Sequence, residues 1–298
     1  MIAQMQDSPS AEARSTLRYR EYVPAPALRP HVECLWVVWD AVPRTHRPPD
    51  RVVPDGCPEL IFHLRGRFSR QRGQRWVRQP AAFLAGTLTR PWLIRAGTRL
   101  FTLGIRFRPG AVNRWLDVDM KQAVDREVSL ASILGRGRAL ACLQRLRAAA
   151  TRGEAIRRAE RWLQALALRG PTAGDVAARA AVRAVLASHG RMRMDALARQ
   201  VGSNPRRLER AFARSLGIRP KLFARIVRLN AALALLAADQ RLAAVDWALD
   251  AGYFDQAHLA RDFRVVAGRR ARRGGEADGQ LARNFTAPKR LLNLLSGA

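Results

Sequence analysis

At 298 residues the chain is long enough for two domains with cores of their own, and a hydrophobic fraction of 48% excludes a disordered polyelectrolyte. A formal charge of +29 and a sequence pI near 11.8 call for a polyanionic partner. Nucleic acid is favoured over an anionic membrane surface, and no run of eighteen apolar residues is present to span a bilayer.

Charge placement says more than the total. Only Lys121, Lys221 and Lys289 are lysines, and coding bias is an alternative to selection for phosphate contacts as the source of so Arg-rich a composition. Residues 191–275 nevertheless hold 18 Lys/Arg against 7 Asp/Glu, a net of +11, which is denser than the rest.

Residues 1–18 are small and polar without period and are expected to form a disordered tail. The opening residues lack the apolar core of a signal peptide, and the three cysteines, Cys34, Cys57 and Cys142, stand at no zinc-ligand spacing. A cytoplasmic location is the expectation.

From 19 to about 112, Pro and Gly punctuate short β-branched and aromatic runs. Strands are expected at Val32–Trp39, at Leu60–Leu64 and over 101–107, where Phe101, Leu103, Ile105 and Phe107 alternate with Thr102, Gly104 and Arg106 in the period of a half-buried strand. Pro54-Asp55-Gly56 between two such runs is turn chemistry. The expectation is a β-barrel or sandwich. From 113 to 169 the period becomes helical, as in Ala139, Leu143, Leu146 and then Ile156, Ala159, Leu163, which makes a helical extension to the β-rich part. Together, 19–170 are expected to be a sensing or dimerisation domain. Gly170-Pro171 breaks the pattern, and Thr172-x-x-Asp175 starts a new helix.

An all-α domain is expected over 171–275, with 276–298 as a C-terminal tail, so the fold class is α+β. Within it a pattern occurs twice. Ala198-x-x-x-Gly202 followed by Leu208-x-Arg210-x-Phe212 is echoed by Ala248-x-x-x-Gly252 followed by Leu259-x-Arg261-x-Phe263. Each copy has the spacing of two short helices crossing through a tight turn, a helix-turn-helix. Asn204-Pro205 and Asp255 are helix starts, since Asn and Asp side chains cap free amides and Pro suits the first helical position. The first helix of the second unit is expected over Leu242–Asp250. Between the units, Pro220 opens a helical run whose Phe223, Ile226, Val227, Leu229, Leu233 and Leu236 form one broad apolar face, a linker.

The run Leu197-Ala198-x-x-Val201-Gly202-x-x-x-Arg206-Arg207-Leu208-x-Arg210-x-Phe212, then Leu216-Gly217-Ile218-x-Pro220, resembles the first helix-turn-helix of AraC/XylS-type transcription regulators. Arg228-Leu229-x-x-Ala232-x-x-Leu235-Leu236 resembles their linker helix, and Gly252-Tyr253-Phe254-Asp255-Gln256 their second unit. Where that family continues with Gly-x-Thr/Ser-Pro into a closing helix, this chain has Gly268-Arg269-Arg270-Ala271. Upstream, Pro54-Asp55-Gly56-Cys57-Pro58-Glu59-Leu60 and Gly104-x-Arg106-Phe107-Arg108-Pro109-Gly110 resemble an uncharacterised domain that precedes such regulators. The resemblance implies two recognition helices on double-stranded DNA, RNA polymerase as a partner if the protein activates, and a homodimer as a candidate assembly.

A recognition helix shows its N-terminal residues to base edges while flanking arginines hold phosphates. In the first unit Arg206 and Arg210 are the candidate base readers, with Arg207 on phosphate and Glu209 beside them. In the second the equivalents are Gln256, His258 and Arg261, with Arg264 on the backbone. For any one arginine of so basic a chain, a solvated helix face is as good a reading.

Trp36, Trp39, Trp76 and Trp92 are read first as core. The alternative is a pocket on Trp36 and Trp39, with Arg106 facing an acidic small-molecule effector. No nucleophile-base pair, phosphate-cradling loop or metal-ligand spacing stands out, so neither an enzyme nor a cofactor is expected. Two rivals stay open: a non-specific architectural DNA-binding protein, and a Cys57-based alkyl-transfer or redox-sensing protein tethered to DNA.

Overall fold

The computed structural model describes residues 17–40, 49–166, 168–238 and 252–268. The β-rich part contains β1 (Leu17–Tyr22), β2 (Val32–Asp40), β3 (Asp50–Val52), β4 (Glu59–Arg65), β5 (Phe68–Arg72), β6 (Arg75–Arg78), β7 (Ala82–Ala85), β8 (Trp92–Ala96), β9 (Phe101–Phe107) and β10 (Glu127–Ser129). They form two antiparallel sheets, one of order β1-β2-β9-β4-β7-β10 and one of order β3-β8-β5-β6. Both sheets are open among the described residues, so the architecture is a sandwich and not a closed barrel.

One face of the larger sheet carries Cys34, Trp36, Val38 and Phe83, which pack on Phe68, Trp92 and Ile94 of the smaller sheet. Its other face carries Leu35, Val37, Phe62, Leu103, Ile105 and Phe107, which pack on helices. Those helices are α3 (Arg136–Arg147) and α4 (Arg152–Ala165), after two short turns α1 (Met120–Ala123) and α2 (Leu130–Leu134). The result is three layers with two apolar interfaces.

Three expectations are corrected here. β9 is not half-buried: Thr102, Gly104 and Arg106 are as enclosed as Leu103 and Ile105. Alternation in sequence reported polarity, and the second sheet covers the polar face. The segment after 113 is not uniformly helical, since Glu127–Ser129 pairs with β7 as an edge strand. Strand β1 begins two residues inside the expected tail, where Leu17 is buried opposite Asp40.

Buried on the polar face, His63 sits between Thr102 and Gln79, with Nδ1 2.9 Å from Thr102 Oγ1 and Nε2 3.2 Å from Gln79 Oε1. The Gln79 carbonyl only accepts, so Nε2 carries the proton and Nδ1 accepts from the Thr102 hydroxyl. Burial pushes this imidazole down to about 3, and nearby Arg67, Arg78 and Arg147 act the same way against the Gln79 hydrogen bond. A folded value below the unfolded 6.5 means that stability is full above pH 6.5 and is lost as pH falls toward 3. The loss by pH 4 is expected to be about 3 kcal/mol, read by urea unfolding. His63→Gln should flatten that acid slope; an unchanged slope would place the titration elsewhere.

The C-terminal part contains α5 (Ala173–Ala187), α6 (Met194–Gln200), α7 (Pro205–Ser215), α8 (Pro220–Ala238) and α9 (Gln256–Asp262), the last continuing as a π-turn over Phe263–Ala267. α5 begins where the sequence placed it: the Thr172 hydroxyl accepts from Asp175 N while Asp175 accepts from Thr172 N, a complete capping box. Leu197, Leu208, Phe212, Phe223, Val227 and Leu259 supply the shared core. Val53 and Cys57, from the β-rich part, belong to the same core. The expected helix at 242–250 and the segment after Gly268 lie outside the described residues.

Candidate nucleic-acid interface

The first helix-turn-helix is built from α6 and α7. α6 ends in a Schellman motif: Gly202 adopts φ +61 and donates to Arg199 O at 3.1 Å, and Ser203 N donates to Ala198 O at 2.9 Å. The left-handed residue turns the chain through which α7 crosses α6. Asn204 then caps α7, its side-chain oxygen accepting from Arg207 N at 2.9 Å, with Pro205 in the first turn. Leu208, Ala211, Phe212 and Ser215 form the buried stripe. On the opposite face Arg206, Arg207, Glu209 and Arg210 are exposed, and none of them forms an ion pair with another described residue. Their side chains project from the N-terminal half of the helix toward solvent.

α8 follows with 19 residues, about 28 Å at 1.5 Å per residue. It holds α9 by charge. Asp262 of α9 is buried and is met by Arg225 Nε at 2.6 Å and Arg228 Nη2 at 3.4 Å. The Arg228 guanidinium also lies over the Tyr253 ring, 4.8 Å from its centroid. Sequence reading missed this clamp, because a single Asp on a helix of mixed polarity carries no pattern until its two arginines arrive from α8.

α9 is capped by Asp255, which accepts from His258 N at 2.6 Å. Gln256, Arg261 and Arg264 are exposed. His258 is half-buried instead, its ring edge-on to Tyr253 at 5.1 Å, so packing sets its orientation. The two sets of named residues thus stand on two helices fixed to one linker.

Two separate concavities of the β-rich part bear on the named tryptophans. Trp36 and Arg106 line a cavity of about 60 Å³ between the sheets, together with Asp55, Glu59 and Trp92. Trp39 does not join them. It lies three residues from Trp36 on one strand and faces the other side of the sheet, in a wider cleft of about 970 Å³ with Arg20, Arg65, Phe101 and Arg152. The Arg152 guanidinium covers the Trp39 ring at 4.3 Å.

Arg106 is not open to an effector in the way the sequence implied. Its side chain is 2% exposed and is paired with Asp55 and, at 2.6 Å, with Glu59. Burial pushes the Glu59 carboxyl up to about 7 against the pull of Arg106. Cys57 beside it is buried, and burial drives its thiol well above the ordinary range, so the thiolate a nucleophile needs is disfavoured.

Against known proteins, residues 197–273 match the model of a helix-turn-helix domain, and residues 20–129 match a domain of unknown function (DUF6597). The C-terminal segment is an AraC-type helix-turn-helix domain. With it, the chain is a DNA-binding transcription regulator. By shape the chain is similar to ToxT from Vibrio cholerae. The 1.65 Å P21 form shows 5% identity and a TM-score of 0.42, covering 86% of this chain and 96% of that one. Wild-type ToxT of strain SCE256 with an unsaturated fatty acid gives 10% and 0.40, covering 79% and 92%. ToxT of strain O395 bound to (E)-4-(8-methylnaphthalen-1-yl)but-3-enoic acid gives 8% and 0.38, covering 85% and 95%. No curated protein matches the chain. No helix among the described residues is long and apolar enough to cross a membrane.

Proposed function

We propose that the protein binds promoter DNA sequence-specifically, with α7 and the helix at α9 in successive major grooves, and that the β-rich part controls this binding. The observation that carries the reading is the exposed Arg206/Arg207/Arg210 face at the N-terminal half of α7, without an ion-pair partner among the described residues, on a helix anchored to the same α8 that clamps α9 through Asp262. A linker of about 28 Å, with its turns, fits recognition helices one DNA turn apart.

Arg206→Ala is expected to relax preference at one or two base positions, by about 1–3 kcal/mol of discrimination, while non-specific affinity changes little. Sequencing of random duplexes selected at physiological salt by wild type and variant reads this directly. A flat pool from the wild type, with steep salt dependence, would support the architectural alternative.

Control by the β-rich part is proposed to run through the Pro54–Cys57 turn. On its inner side Asp55 is held by buried Arg106. On its outer side Pro54 O accepts from Asn230 Nδ2 of α8 at 2.9 Å, and Gly56 lies against the Phe223 ring. Nearby, Thr87 Oγ1 donates to Leu216 O at 2.7 Å, just past the end of α7. A ligand or partner that shifts the sheet at Arg106 therefore shifts the linker helix. The boundary between the controlling and DNA-binding parts is placed at 170–171, before the α5 capping box. An exposed nucleophilic role for Cys57 has no support in this arrangement.

A further inference from the structure

The turn into α9 holds an apolar side chain that the fold does not use. Phe254 is 88% exposed, and it is the most exposed of the large hydrophobic residues among those described. It directly precedes the Asp255 cap. In that position an apolar residue ordinarily packs back on the helix four residues in, a hydrophobic staple. Here the staple partner Leu259 is 1% exposed and already enclosed in the core, and Tyr253, at 3%, takes the inward place with its ring against His258. Phe254 is left pointing away from the domain, two residues before Gln256 at the N-terminal end of the helix that presents Arg261, with Arg264 in the π-turn that continues it.

We infer that Phe254 is a specificity-determining contact of the second recognition unit, packing on the 5-methyl group of a thymine at the edge of the site that α9 reads. The inference rests on the DNA-binding reading above. Three features favour this partner. Exposed Arg261 and Arg264 of the same unit attract a polyanion. Among the groups that duplex DNA offers in the major groove, the thymine methyl is the one that an apolar side chain recognises, and Phe is among the residues that make this contact. A rigid aromatic with two rotatable bonds loses little freedom when fixed.

The test uses the full-length protein and the duplex recovered by selection with the wild type. Each thymine of the second half-site is replaced in turn by deoxyuridine, which removes only the methyl. Wild type is expected to lose about four-fold in affinity at one position, the worth of one buried methyl. Phe254→Ala is expected to bind the parent duplex roughly ten-fold more weakly, to lose the response to deoxyuridine at that position, and to melt at the wild-type temperature. Gln256→Ala should weaken binding yet keep the methyl response. Phe254→Ala binding like wild type, keeping the methyl response, or melting at a lower temperature would each overturn the inference. Failure of the wild type itself to select any sequence would instead sink the specific-binding reading, so the two failures are told apart.

Discussion

Arg106→Met is expected to lower the unfolding free energy by about 3–5 kcal/mol near pH 8, because it leaves two carboxylates, Asp55 and Glu59, in a buried site without their cation. Methionine keeps much of the side-chain volume, so the loss reports charge more than cavity. The effect should shrink in acid. Glu59 is raised by burial to about 7, above its unfolded 4.5, so the folded state holds a proton that the unfolded state has released between those values. Stability from this group therefore rises as pH falls through that window, and a protonated Glu59 tolerates the missing arginine better. Urea unfolding of wild type and variant at pH 5 and pH 8 gives two differences, in which the His63 contribution common to both proteins cancels. A difference as large at pH 5 as at pH 8 would mean that Glu59 is not the group carrying the cost. The same variant loosens Asp55 and hence the turn against α8, so DNA affinity should change along with stability.

Gly56→Val is expected to cost about 2–5 kcal/mol. Gly56 sits at φ +85, where an L-residue is disfavoured by about 1–2 kcal/mol. A Cβ there would also stand 2.5 Å from Phe223 Cε2, and overpacking of this kind costs about 1–3 kcal/mol more. Gly73→Val separates the two contributions, because Gly73 has φ +59 with nothing within 4 Å of an added Cβ. Gly73→Val should show the backbone cost alone. Thermal melts of both variants, with a Gly56→Val/Phe223→Leu double mutant recovering part of the loss, would locate the excess at the seat of the turn on α8. Equal losses at the two glycines would leave the Phe223 contact without energetic weight, and with it the proposed route of control.

Much of the local structure was legible in the chain because it depends on neighbours in sequence. The Thr172-x-x-Asp175 box, the Asn204-Pro205 start, the Asp255 cap and the Gly202 turn all satisfy backbone groups a few residues away, and each helix begins or ends where those residues stand. The apolar runs of β2 and β4 are likewise strands, since short β-branched and aromatic runs between turn residues have few other outcomes. The parity of Trp36 and Trp39 was also readable: residues three apart on a strand face opposite sides and cannot share a pocket. The doubled Ala-Gly-Leu-Arg-Phe spacing identified the helix-turn-helix character before any fold was known.

What the sequence determined, then, was the strands β2, β4 and β9, the starts and caps of α5, α7 and α9, and the exposed arginine face of α7, because these follow from periods and from hydrogen bonds closed within one or two turns. Tertiary structure alone decided which polar residues went inside. Thr102 and Arg106 alternate with apolar neighbours as on a solvated strand, yet a second sheet covers them, and Arg106 is tolerable there only because Asp55 and Glu59 come from elsewhere in the chain. Asp262 is likewise meaningful only once Arg225 and Arg228 of α8 surround it, and Asn230 only once Pro54 O reaches it across 176 residues. Such contacts leave no local period, because the energy of a buried charge or amide is set by the partner that meets it in space.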